Sequence, residues 1–163
     1  MPAGAGQIYG RTGRTVIPIS RRAFADGVTG GIWYDSSGNF IGDNLTTLRP
    51  ADDAATQQLG SPWRMPTVDE IQELKENCTW LWTTQDGVNG HQVDGPNGNA
   101  IFLPASGYRN YSGLIGAGTS GDYLSSSLDT SSGYALKISF DSSHHYKAGA
   151  LRCNGYPVRP VRP

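Results

Sequence analysis

The apolar positions of this chain follow a helical period in one stretch and a period of two in others. Between Thr67 and Cys78, Ile71 and Leu74 fall on one helical face and Cys78 lies one turn further on. Thr67 and Glu70 have the spacing of a capping box, in which each side chain takes an orphan amide. This predicts an amphipathic helix that packs on a core. A shorter helix through Ala54, Ala55 and Gln58 is expected just before it, capped by Asp52 or Asp53.

From Thr79 the pattern turns to β. Thr79 to Thr84 predicts a strand. Asp86-Gly87 and Asn89-Gly90 predict a turn, and His91 to Val93 the return. Asp94-Gly95 and Asn97-Gly98 predict a second turn before Ala100 to Leu103. Tyr134, Leu136, Ile138 and Phe140 alternate with Ala135, Lys137 and Ser139. Period two places the first set on a core face and the second toward solvent or a ligand. Cys153 to Arg162 predicts a closing strand whose prolines limit its ladder bonds. Near the start, Arg14 to Ser20 predicts an edge strand containing Pro18. Ile32-Trp33-Tyr34 and Asn39-Phe40-Ile41 flank Asp35-Ser36-Ser37-Gly38 as a hairpin.

Together these predict an α+β fold with two short helices, mostly antiparallel strands and long ordered loops. At 163 residues the chain can bury one core of its own. Residues 1–30 are expected to form an N-terminal extension and first strand, and 31–163 the main domain.

Composition narrows the function. Twenty-two glycines and only 17% charged residues favour loops over long helices. The net charge is −1 and no Lys/Arg stripe exists, which argues against nucleic acid and anionic membrane as partners. No apolar stretch approaches transmembrane length, and Met1 to Gly6 carry no signal-peptide pattern. Cys78 and Cys153 are too few for a disulfide framework and read as free thiols.

Several motifs suggest chemistry and fail on context. Gly116 to Gly121 matches GxGxxG, but Asp122-Tyr123-Leu124-Ser125 is no helix start, so a flexible loop is expected instead of a pyrophosphate cradle. His144 and His145 are adjacent, so on a strand they point opposite ways and do not chelate. Asp141, Ser143 and His144 are strung in a row, whereas a triad is assembled by a fold. Asp35 to Asn39 lacks the terminal Glu of a calcium loop. Trp33, Trp63, Trp80 and Trp82 are expected to be structural. No metal, cofactor or catalytic residue is expected.

What remains is a contact-like composition at the C-terminal end. Framework pieces, Gly107-Tyr108-Arg109, Tyr134 to Phe140 and Val158 to Arg162, alternate with Tyr, Ser, His, Asn and Asp. Such residues make binding surfaces, with flat aromatic area and adaptable hydrogen bonds.

The ordered series Asp53-Ala54-Ala55-Thr56, Gly60 to Thr67, Glu70, Glu73-Leu74, Asn77 to Trp80, Ile101 to Ala105, Gly107 to Arg109 and Val158 to Val161 resembles a family common in gut Bacteroidales and their phages. These are proteins with a C-type-lectin-like fold, related to the formylglycine-generating-enzyme domain. Some are the variable proteins of diversity-generating retroelements. The resemblance covers Asp53 to Pro163 and implies a stable scaffold with a variable segment at about residues 108–156.

In such proteins adenine-directed mutagenesis acts mostly at AAY codons. Tyr111, Ser112, Asp122, Leu128, Asp129, Ser142, Ser143, His144, His145, Tyr146, Leu151, Cys153 and Asn154 are all compatible with that origin and are the expected ligand contacts. Lys137 and Lys147 are not. The implied function is receptor binding or adhesion without catalysis, to a protein or glycan on a host or target cell, with multivalent display raising avidity. The implied setting is a phage tail tip or a bacterial surface. The alternatives are an enzyme domain of the formylglycine-generating type, or a structural module of a surface or phage protein. The cysteine pair of that enzyme type and the sugar-site loops of calcium-dependent lectins are absent from the matching positions.

Overall fold

The computed structural model describes Val16–Ile17 and residues 45–130 and 133–163. The expected hairpin around Asp35 to Asn39 and Trp33 lie outside the described residues. The described chain is α+β, with antiparallel strand pairings in every small sheet.

The first helix, α1 (Ala54–Leu59), is capped by Asp53, whose Oδ1 accepts from the Thr56 amide at 2.8 Å. The same buried carboxylate accepts twice from the Met65 amide, tying the helix to the returning chain. The capping box of α2 (Val68–Asn77) forms as the spacing predicts. Arg64 makes a bidentate pair with Glu70 at 2.7 and 2.6 Å. That hydrogen bonding, with the Thr67 amide, pulls the Glu70 carboxyl down to about 2. Ile71 is buried, and Leu74 and Cys78 pack beside it.

Strands β2 (Thr79–Gln85), β3 (Val88–Asp94) and β4 (Ala100–Pro104) form one antiparallel sheet. The turn between β2 and β3 needs only Asp86-Gly87, whose φ values of 51° and 77° suit a two-residue hairpin. Asn89-Gly90, expected in the turn, therefore lies within β3. A Cβ on Gly90 would meet the Leu103 carbonyl at 2.3 Å, so this glycine serves close approach and not turning.

A short hairpin follows, β5 (Tyr108–Asn110) with β6 (Gly113–Ile115). The chain then forms the central sheet, β7 (Gly121–Leu128), β8 (Tyr134–Phe140) and β9 (His145–Leu151), with β8 in the middle. Finally β10 (Tyr156–Pro157) pairs with β1 (Val16–Ile17), so this N-terminal strand docks on the chain's last one. The expected closing strand to Arg162 shrinks to these two residues plus single bridges, Arg109 to Gly155 and Arg64 to Val161.

The central sheet is covered on both faces, which overturns part of the period-two expectation. Tyr123, Ile138 and Phe140 join Ile71, Val93 and Leu103 in one cluster. Leu124, Ala135 and Ala150 join Ala55, Met65 and Tyr156 in the other. Ala135 and Ser139, expected to face outward, are buried, and Tyr134, expected inside, is 41% exposed. A strand between two packed layers buries alternate residues on both sides, as long as it stays under the cover.

The serines of β7 tie the layers together. Ser125 Oγ donates to the Leu136 carbonyl at 2.7 Å, and Ser127 Oγ accepts from the Val68 amide at 3.0 Å. The second bond satisfies one of the free amides at the start of α2. The GxGxxG stretch is a bonded connection, not a free loop. The Gly118 amide donates to the Ala105 carbonyl at 2.7 Å, and the Gly107 amide to Ser120 at 2.8 Å. A strand follows it, so no helix N-terminus faces it.

Candidate binding site

The expected contact residues divide into three groups. The first sits at the tip of the β5–β6 hairpin. Asn110 Oδ1 accepts from the Ser112 amide at 2.9 Å, the Ser112 hydroxyl at 2.6 Å and the Gly113 amide at 3.1 Å. This side-chain brace fixes the tip backbone. Tyr111 projects from it fully exposed. The hairpin base is held by reciprocal 2.7 Å bonds between Arg109 and Gly155.

The second group is the turn between β8 and β9. Asp141 Oδ1 accepts from the Ser143 and His144 amides at 2.7 and 2.8 Å, which lowers its carboxyl pKa. The Asp141 amide closes the turn on the His144 carbonyl at 2.9 Å. Ser142, Ser143 and His144 are left exposed at the apex.

His145 differs from its neighbour, as the strand alternation predicts. It is half-buried and stacks flat on Trp80, centroids 4.6 Å apart and planes 7° from parallel. Burial lowers its pKa, with the nearby His91 ring and Lys75 ammonium adding to the shift. The fold thus favours the neutral ring. Its contribution to stability is complete above the unfolded value near 6.5 and is lost as pH falls through the lower folded value. Melting temperature is therefore expected to drop as pH is lowered below about 6.5. His145→Phe, which keeps a ring on Trp80 but cannot titrate, shrinks that drop. Equal pH profiles for the two proteins would rule the idea out.

The third group lies on the β7–β9 face that carries Tyr156. Asp122, expected as a contact, is buried. Its carboxylate pairs with Lys137 and accepts from Ser139 Oγ at 2.7 Å. Lys137 Nζ lies 5.5 Å from the Tyr108 ring centre and 5.1 Å from that of Tyr156, and these two rings stack on each other. Cation–π attraction thus adds to the ion pair. Tyr146, opposite Ser139 in register, is 52% exposed on the same face. Asn154 Nδ2 donates to the Tyr156 hydroxyl at 3.3 Å.

The remaining expected contacts are scattered. Leu128 is half-buried against the second cluster and serves packing. The half-buried Asp129 donates its amide to the Tyr134 carbonyl. Leu151 is 43% exposed and opposes Tyr134 across the strands, on the face away from Tyr146. Cys153 is exposed and Cys78 half-buried, and both are free thiols. Trp80, His91 and Tyr156, which the composition did not single out for this role, also surround these groups, together with Tyr108, expected as framework, and Asn110, one of the contact-like residue types.

Trp63, Trp80 and Trp82 are half-buried; Arg162 lies over Trp63 at 5.1 Å, and the other two pack on the core. Burial pushes the Tyr123 phenol up to about 12, so it stays protonated and donates to the Pro104 carbonyl at 2.9 Å. Among the described residues no three His, Cys, Asp or Glu side chains are grouped to hold a metal, and no helix is long and apolar enough to cross a membrane. Comparison with protein families, curated proteins and solved structures found no match to this chain.

Proposed function

We propose that this chain is a diversified ligand-binding domain with a C-type-lectin-like fold, of the kind made variable by a diversity-generating retroelement. One observation carries the reading. Tyr111, Ser112, Ser142, Ser143 and His144 project into solvent from two turns whose backbones are braced by Asn110 and Asp141. Side chains free to change on a backbone that does not change is what a repertoire requires. Tyr146, Cys153 and Asn154 extend the contact set, while Asp122 and Leu128 belong to the frame.

The ligand is a protein or glycan on a host or target cell, met by rigid aromatic area and adaptable polar groups. Display in several copies, at a phage tail tip or on a bacterial surface, raises avidity by linking weak contacts. No reaction is catalysed. Sequencing many reads of the same locus tests this. Variation is expected to concentrate at Tyr111, Ser112, Ser142, Ser143, His144 and Tyr146. Even drift along the chain would sink the reading. Panning the domain on cell-surface proteins and glycans then identifies the ligand.

A further inference from the structure

His91 is only 4% exposed, and its Nε2 lies 2.7 Å from the carbonyl oxygen of Asp141, the first residue of the β8–β9 turn. A carbonyl can only accept, so Nε2 carries the hydrogen and donates. Nδ1 is buried without a hydrogen-bond partner among the described residues. The ring is walled edge-on by Trp80 at 5.4 Å, Trp82 at 5.2 Å and Phe140 at 5.2 Å, with His145 at 6.4 Å. A phenylalanine would fill such a box without stranding a polar atom. A buried polar atom left unpaired calls for an explanation, and the bond from Nε2 to Asp141 supplies it.

We infer that His91 is a positioning residue for the turn that presents Ser142, Ser143 and His144. Asp141 is gripped at both ends of its own structure. Its carboxylate holds the turn amides, and its carbonyl is pinned by His91 from a different sheet. The stack of His145 on Trp80, also from that sheet, clamps the residue that follows the turn. The turn therefore stands on a base built by β2 and β3, and changes at its apex leave that base untouched. The inference deepens the binding reading, because a loop held before binding loses less entropy on contact.

The test needs no ligand, so it fails or succeeds separately from the binding reading. Amide hydrogen exchange is measured on the full chain, on His91→Phe and on His91→Gln. Phenylalanine fills the box but cannot donate; glutamine restores an N–H at a similar reach. In His91→Phe the Ser143 and His144 amides are expected to exchange about tenfold faster, the factor carried by one net hydrogen bond. Tyr123 and Ile138 are expected to keep their rates, and His91→Gln to recover much of the protection. The nitrogen spectrum of the parent is expected to show hydrogen on His91 Nε2. Unchanged turn exchange in His91→Phe, a His91 ring with no hydrogen on Nε2, or equal acceleration across β7, β8 and the turn would each overturn the assignment.

Discussion

Asp122→Ala is expected to lower stability by about 3–5 kcal/mol, because it strands a nearly buried ammonium. The side chains of Asp122 and Lys137 are only 8% and 11% exposed. With the carboxylate gone, Lys137 keeps only the faces of Tyr108 and Tyr156, and Ser139 Oγ loses its acceptor. Replacing both charges, as in Asp122→Leu with Lys137→Met, is expected to recover most of the loss, since two apolar groups of similar size leave no buried charge unpaired. Urea unfolding of the single and double variants measures this. A cost below about 1 kcal/mol for the single variant would mean that the pair behaves as an exposed one.

This result also bears on the repertoire. Asp122 is compatible with a variable codon, yet a draw that removes its charge damages the frame. Position 122 is thus expected to stay Asp in functional reads, whereas positions 111 and 144 vary. In the proposed reading, codon compatibility does not by itself make a contact residue.

Phe140→Ala is expected to cost about 3–5 kcal/mol and to loosen the turn that follows it. Phe140 is 2% exposed and belongs to the first cluster. Its ring lies 5.9 Å from Tyr123, 5.9 Å from Trp80 and 5.2 Å from His91. It also covers Gly121 so closely that a Cβ there would sit 2.1 Å from its ring. Truncation leaves a void beside the His91 ring, so the base of the turn loses a wall along with its packing. Thermal unfolding gives the stability loss, and near-ultraviolet circular dichroism reports the aromatic cluster. A loss under about 1 kcal/mol with an unchanged aromatic signal would show that the cluster stands without this residue.

The local elements were readable wherever a short-range rule governs them. Thr67 and Glu70 cap α2 because the capping box closes within four residues. Asp86-Gly87 forms a two-residue turn because that geometry needs positive φ at both positions. By contrast β7 and β9 were not expected as strands. Gly121 to Leu128 contains three consecutive serines, and His145 to Leu151 is rich in Gly and Ala. Neither stretch has the β-branched composition that marks a strand. They form because β8 lies between them and because Ser125, Ser126 and Ser127 find partners in other elements.

The candidate site follows the same division. Amino-acid type and codon class picked out Tyr111, Ser112, Ser142, Ser143, His144 and Tyr146, which are exposed, but also Asp122 and Leu128, which are not. Residue type says what a side chain can contact, and only packing says whether it reaches solvent. Likewise the adjacent pair His144-His145 predicts opposite directions, one out and one in. That the inward ring lands flat on Trp80, beside His91 holding the Asp141 carbonyl, depends on residues fifty or more positions earlier in the chain. The sequence alone determined the capping box of α2, the presence of a turn at Asp86-Gly87 and the inventory of contact-like side chains, because each depends on neighbours along the chain. Tertiary structure decided which of those side chains became frame, because burial and pairing are set by residues far away in sequence.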